Sequence, residues 1–232
     1  MNHIEENIAL LKQRISKISL QDHPNGSDVL LVAVTKTRSP EEINLAIDAG
    51  ITDIGENKVQ EILDKYDRVK SVRWHMIGHL QTNKVKYIID KVNMIHSVDT
   101  FKLAEEINKR AEQASLKMDI LVQINAANEE SKFGISEDES ENLIREILKN
   151  CPHIRIKGLM SIAPFENDPE EVRQYFMQVH SLFDQLSKIS DEKLDFKYLS
   201  MGMSNDYEVA IAEGSNLVRI GTAIFGDRHY PL

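Results

Sequence analysis

The sequence predicts an α/β protein folded as a single (β/α)8 TIM-type barrel with an extra N-terminal helix. Eight short apolar runs recur along the chain, and the charged stretches between them have helical spacing. The Gly-rich fingerprint that would mark an open dinucleotide-binding sheet does not follow the first run. A chain of 232 residues with 41% hydrophobic content can build such a core, and no compositional break divides residues 1–232, which are read as one domain.

The chain opens on "MNHIEENIALLKQRISKI", where Ile4, Ile8, Leu11, Ile15 and Ile18 recur at intervals of three and four among charges. This spacing predicts an amphipathic helix, and residues 1–28 are expected to be that helix and a linker packed on the barrel. The first strand is "VLLVAVT" (29–35), an apolar run that stops against Lys36. "SPEEINLAIDAG" follows, with a Ser cap, Pro in the first turn and Gly50 at its close, the punctuation of a helix. "ITDIG" (51–55) is the shortest and least apolar of the expected strands. "VRWHMIG" (72–78), "NMIHSV" (93–98), "DILVQIN" (119–125), "IRIKGLM" (154–160), "FKYLSM" (196–201) and "NLVRIG" (216–221) supply the others, giving eight strands with seven intervening helices. The acidic "SEDESEN" reads as a solvated helix start, where the helix dipole favours carboxylates.

Composition excludes several function classes. A net charge of -9, with no basic patch interleaved with aromatics, argues against nucleic acid as a partner. No run approaches the length of a membrane span, and the N-terminus lacks the apolar block of a signal peptide, so a soluble, cytoplasmic protein is expected. The single cysteine, Cys151, cannot form an internal disulfide and reads as a small filler before Pro152. His75 and His79, in "HMIGH", lack the third ligand or glutamate of a zinc pattern, so no metal site is expected.

Barrel active sites lie at the carboxyl ends of the strands. Lys36, Glu56, Asn57 and His79 fall there in the first half of the chain, and Asn125, Ser161, Ser204 and Thr222 in the second. An amine at the mouth of an apolar barrel is partly desolvated, which favours the neutral form able to condense with a carbonyl. The solvated end of a strand is the ordinary reading of such a lysine. "RIGTA" brings Gly221 and Thr222 to the end of the last strand, where backbone N–H groups can face an anion. In "SMGMSND", Gly202 permits a tight turn, and Ser200 and Ser204 offer hydroxyls. Gly221 alone also reads as a turn glycine, and Ser204 as a cap of the helix "NDYEVAIAEG". Arg219, inside a strand, needs a partner if buried. Together the rim can hold an aldehyde at one end and a phosphate at the other, and pyridoxal 5'-phosphate is such a molecule.

"LVAVTKTRSPEEI", "DIGENKVQEI", "WHMIGHLQTNKVK", "HSVD", "SKFGI", "GLMSIAP" and "LSMGMSNDYEVAIAEGSNLVRIGTAIFG" resemble, in this order, the pyridoxal phosphate homeostasis proteins. These are small barrels related to the N-terminal domain of alanine racemase. The resemblance implies that Lys36 carries the cofactor as a Schiff base and that Ser200 to Ser204 and Gly221 to Thr222 hold its phosphate. It further implies that Arg219 faces the pyridine nitrogen and that Asn57 lines the pocket. Alanine racemases carry a further β domain that supplies a catalytic tyrosine and part of a dimeric site. This sequence ends at Leu232, about where a barrel is complete, so a second acid/base is not expected and a monomer is. An arginine at the ring nitrogen also disfavours its protonation and makes the ring a poorer electron sink. The implied role is that of a non-catalytic carrier that regulates supply of the cofactor and passes it transiently to apo-enzymes. A racemase or related pyridoxal phosphate enzyme is the alternative, and a class I aldolase using Lys36 directly is a third reading.

Overall fold

The computed structural model describes residues 2–22, 29–127, 129 and 132–227. Part of the expected linker, residues 23–28, lies outside them. Helix α1 (His3–Asp22) turns Ile4, Ile8, Leu11 and Ile15 inward, all nearly inaccessible to solvent, against α2 (Pro40–Asp48), α7 (Tyr207–Ala212) and α8 (Thr222–Phe225). Each such side chain stabilises the packing by about 1.5–3 kcal/mol. Helix α2 opens with a capping box: the Glu42 amide donates to Ser39 Oγ (3.2 Å), and the Ser39 amide donates to Glu42 Oε2 (2.9 Å).

The predicted barrel is the observed one. β1 (Leu30–Val34), β2 (Asp53–Glu56), β3 (Arg73–Met76), β4 (Met94–Val98), β5 (Met118–Ile124), β6 (Ile154–Ser161), β7 (Leu194–Ser200) and β8 (Leu217–Ile220) form a closed, all-parallel ring in sequence order. β1 pairs β8 from Leu30↔Leu217 to Ala33↔Ile220, which closes it. β2 begins at Asp53, so Ile51 is buried ahead of the strand rather than within it. Helices α3 (Val59–Lys65), α4 (Phe101–Gln113), α5 (Glu137–Asn150) and α6 (Arg173–Leu186) complete the outer layer. Between β3 and β4 a 3-10 segment, Thr82–Tyr87, takes the place of the third of the seven expected intervening helices. No side chain caps it at Gln81, and the β-branched Val85, Ile88 and Ile89 disfavour a longer helix.

The main core lies between strands and helices, and alternate strand residues face the lumen. There Met94, Leu121, Met160 and Tyr198 form a separate apolar cluster. Gly158, at a register shift between β6 and β7, has φ 139°, and a Cβ there would stand 1.9 Å from the Tyr198 carbonyl oxygen. The β7–β8 join is the thinnest of the ring, with Ser200↔Leu217 as its register pair. Side chains reinforce it: Asn216 Oδ1 accepts from the Leu199 amide (2.8 Å), Asn216 Nδ2 donates to the Lys197 carbonyl (2.7 Å), and Ser215 Oγ donates to the Met201 carbonyl (2.8 Å).

Candidate functional site

Lys36 stands on a braced turn. The Arg38 amide donates to the Thr35 carbonyl (3.0 Å), closing a turn with Lys36 and Thr37 at its centre. Thr37 has φ 65°, a left-handed conformation that costs a β-branched residue energy and persists only where neighbours impose it. Here the Thr37 amide donates to Glu61 Oε2 (2.6 Å). Lys65 Nζ donates to the Thr35 carbonyl (2.9 Å), Glu56 Oε1 (2.7 Å) and Glu61 Oε2 (2.8 Å). Thr35 Oγ1 also donates to Glu56 Oε1 (2.7 Å). Burial pushes the Glu56 carboxyl above its ordinary pKa, opposed by the Lys65 ammonium. Glu61 is also desolvated, yet bonds from Lys65 and the Thr37 amide hold it below its usual value. Glu56 thus braces the lysine turn from beneath instead of facing the mouth.

On the other side of the mouth, Arg219 is buried in the lumen. Its Nη1 donates to the Ser200 carbonyl (2.9 Å) and to Ser200 Oγ (2.6 Å), and its Nη2 donates to the Ser161 carbonyl (2.9 Å). Burial lowers the guanidinium pKa to about 10, so it is still a cation at neutral pH, with Asp206 adding opposite charge nearby. The loop after β7 turns at Gly202, whose φ of 90° and 2.7 Å separation between a built Cβ and Ala210 Cβ both require glycine. Asp206 Oδ1 accepts from the Met203 amide (2.6 Å), tying the loop to the start of α7. Ser204 Oγ accepts from the Gly221 and Ala223 amides, each at 3.3 Å. It therefore caps α8 and not α7, and with two bonds accepted its own O–H is left to point away as a donor.

Lys36, Ser204, Arg219, Gly221 and Thr222 border one cavity of about 310 Å³. Arg38, Phe165 and Met203 complete much of its wall and were not singled out by sequence. Arg38 is held by Glu42, by the Gly226 carbonyl and by the Phe225 ring, so its cation is fixed at the rim. A "TRSPEE" helix start, with arginine three residues before the first glutamate, carried no signal of that placement. Ser200 differs from expectation: its hydroxyl lies beneath the cavity, turned to Arg219, because it shares the inward row of the barrel. Asn57 is not among the residues bordering the cavity, and its Oδ1 is buried with no hydrogen-bond partner among the described residues. Asn125 shapes its own loop by bonding the Glu129 backbone, Ser161 Oγ donates to the Ile124 carbonyl, and His79 stacks on Phe133 with ring centroids 3.9 Å apart. A larger groove of about 690 Å³ beside the mouth, between α1 and α7, shares Ser204 but not the amine or the guanidinium of Arg219.

The pyridoxal phosphate homeostasis protein of Aquifex aeolicus is 40% identical over 227 residues, covering 97% of this chain and 98% of that protein. The chain belongs to the pyridoxal phosphate homeostasis protein family. The profile of the alanine racemase N-terminal domain matches residues 1–229, so the chain also belongs to that domain family. Among solved structures, an unknown protein from Bifidobacterium adolescentis superposes with a TM-score of 0.87 at 34% identity, covering 96% of this chain and 94% of that one. PipY of Synechococcus elongatus PCC7942, solved with PLP bound, gives 0.79 at 30% identity, covering 93% of this chain and 99% of PipY.

Proposed function

We propose that this chain binds pyridoxal 5'-phosphate through Lys36, as a Schiff base, and serves to hold and pass on the cofactor without substantial turnover of its own. The observation that carries the reading is the single cavity bordered by an amine, a buried guanidinium, and the hydroxyls of Ser204 and Thr222. That donor set fits the molecule from end to end. At Gly221 a Cβ would sit 3.3 Å from Val34, so glycine lets the ends of the first and last strands pack closely at the cavity wall. The PLP-bound relative and the family's name support the same assignment.

Bound pyridoxal phosphate supplies an aldehyde that condenses with amines and a ring that withdraws electrons. The protein's part is to place Lys36 on its braced turn at one end and to offer Ser204 and Thr222 hydroxyls to the phosphate at the other. Arg219 borders the same cavity. A guanidinium beside a pyridine nitrogen disfavours its protonation, which limits electron withdrawal and makes turnover slow. Carriage with transient transfer to apo-enzymes follows more naturally than racemisation. The purified protein should therefore absorb in the visible, and borohydride should fix the cofactor to the Lys36 peptide. Lys36→Ala should abolish the absorption while leaving the circular dichroism unchanged. Incubation with amino acids in deuterated water should give no enzyme-like exchange at the α carbon. Modification of another lysine would refute the attachment, and rapid exchange lost in Lys36→Ala would restore the enzyme reading.

A further inference from the structure

A chain of polar side chains crosses the lumen from Arg219 to the opposite rim. Arg219 Nη1 lies 2.6 Å from Ser200 Oγ, and Ser200 Oγ is 3.5 Å from His96 Nδ1, the longest link. His96 Nε2 is 2.9 Å from His75 Nδ1, and His75 Nε2 is 2.8 Å from Asp53 Oδ1. All five residues are buried, at 3% exposure or less. At the far end Asp53 pairs with Arg73 across the β2–β3 register (2.8 and 2.7 Å) and opens on a separate groove of about 570 Å³.

With each imidazole carrying a single proton, the ends of this chain allow one direction only. A guanidinium donates and cannot accept, and an ionised carboxylate accepts and cannot donate. Asp53 is held well below the usual carboxylate range: although burial opposes ionisation, bonds from His75, Arg73 and Thr52 favour the charged form. Its neighbour His75 must then present Nε2–H to it and accept at Nδ1, which requires His96 to donate through Nε2–H and accept at Nδ1 from the Ser200 hydroxyl. Ser200, donating there, accepts from Arg219. Each donor meets an acceptor, and neither imidazole needs a second proton. Burial, with the Arg219 cation close by, also holds His96 neutral. A buried polar chain satisfied in this way is rigid, since reversing one link orphans another.

We propose that Asp53, His75 and His96 are positioning residues for Arg219, acting through this one-way chain to fix Ser200 as an acceptor and so the orientation of the guanidinium at the cavity wall. The consequence for cofactor affinity rests on the function proposed above, whereas the tautomers and the guanidinium orientation do not. Nitrogen-15 histidine and arginine spectra of the cofactor-free protein at neutral pH supply that independent readout. His75 and His96 should each show one neutral form, protonated at Nε2, and the Arg219 Nε–H resonance should be sharp. Asp53→Leu should mix the tautomers of both histidines and shift Arg219, while Asp53→Asn, which keeps an acceptor, should hold them. For pyridoxal phosphate, His96→Phe should weaken binding about tenfold, the loss expected from about one hydrogen bond, and His96→Gln should recover most of it. Ile107→Val, a core change on α4, serves as the comparison of equal fold and intact chain. A wild-type spectrum with either histidine cationic or protonated at Nδ1 overturns the proposal even if every variant fails to fold. So does an Arg219 resonance that is unmoved in both Asp53→Leu and His96→Phe. If no variant or wild type binds the cofactor, the function proposed above fails while the spectra still decide the chain.

Discussion

Replacing Lys65 with methionine removes an ammonium shared by three acceptors: the Thr35 carbonyl, Glu56 and Glu61. Glu61 is partly exposed, so its share is worth at most about 1 kcal/mol. Glu56 has no exposed side-chain surface, and breaking such a pair from one side leaves an uncompensated buried charge at a cost of about 3–5 kcal/mol. The variant should therefore lose about that much stability in urea unfolding at pH 8, with an unchanged m-value. The pH dependence carries the sign. Burial already raises the folded pKa of Glu56, and loss of the ammonium raises it further. A carboxyl whose folded pKa exceeds its unfolded one binds more protons when folded, so stability rises as pH falls through the folded value. The deficit of Lys65→Met should shrink between pH 8 and pH 5, and adding Glu56→Gln should recover much of it. A deficit under about 1 kcal/mol, or one independent of pH, would refute the buried-pair account.

Gly158→Ala places a Cβ against the Tyr198 carbonyl, and the resulting clash plus positive φ should cost more than about 4 kcal/mol or prevent folding; a near-native melting temperature would contradict the β6–β7 geometry. Burial pushes the Cys151 thiol up to about 11, so a thiol reagent at pH 8 should label it at the rate of unfolding and not faster. Thr222→Ala and Ser204→Ala should each weaken pyridoxal phosphate binding through loss of a hydrogen bond to a charged group, worth about 1.5–3 kcal/mol, while pyridoxal itself is little affected. Equal losses for both ligands would move the phosphate elsewhere.

The barrel was legible because its strands are bounded and mostly apolar, and because helix starts such as Ser39-Pro40 carry their own local chemistry. Lys36 was legible for a related reason, as the charged residue on which a buried run stops. Tertiary pairings were not. Lys65 reads as the basic end of a short amphipathic helix, and nothing in its spacing shows that its ammonium turns inward to Glu56. His96 sits in "NMIHSV", where strand alternation permits either face, and only closure of the ring decides that it faces the lumen. Ser200 was expected to face the phosphate, and as the inward residue at the last position of β7 its hydroxyl meets Arg219 in the barrel's interior.

A ring of strands has no free edge, yet it can have a weakest stave. At the β7–β8 join the ladder narrows to a single register pair, so backbone protons there should exchange with solvent sooner than those of the long β5–β6 ladder. The two lips of that join end in Ser204 and in Gly221 and Thr222. For a molecule proposed to take up a phosphorylated aldehyde and give it away, the grip and the breathing of the wall share one place. Once water or an incoming amine has opened the Lys36 imine, unloading would require no hinged cover, only a momentary parting of the stave.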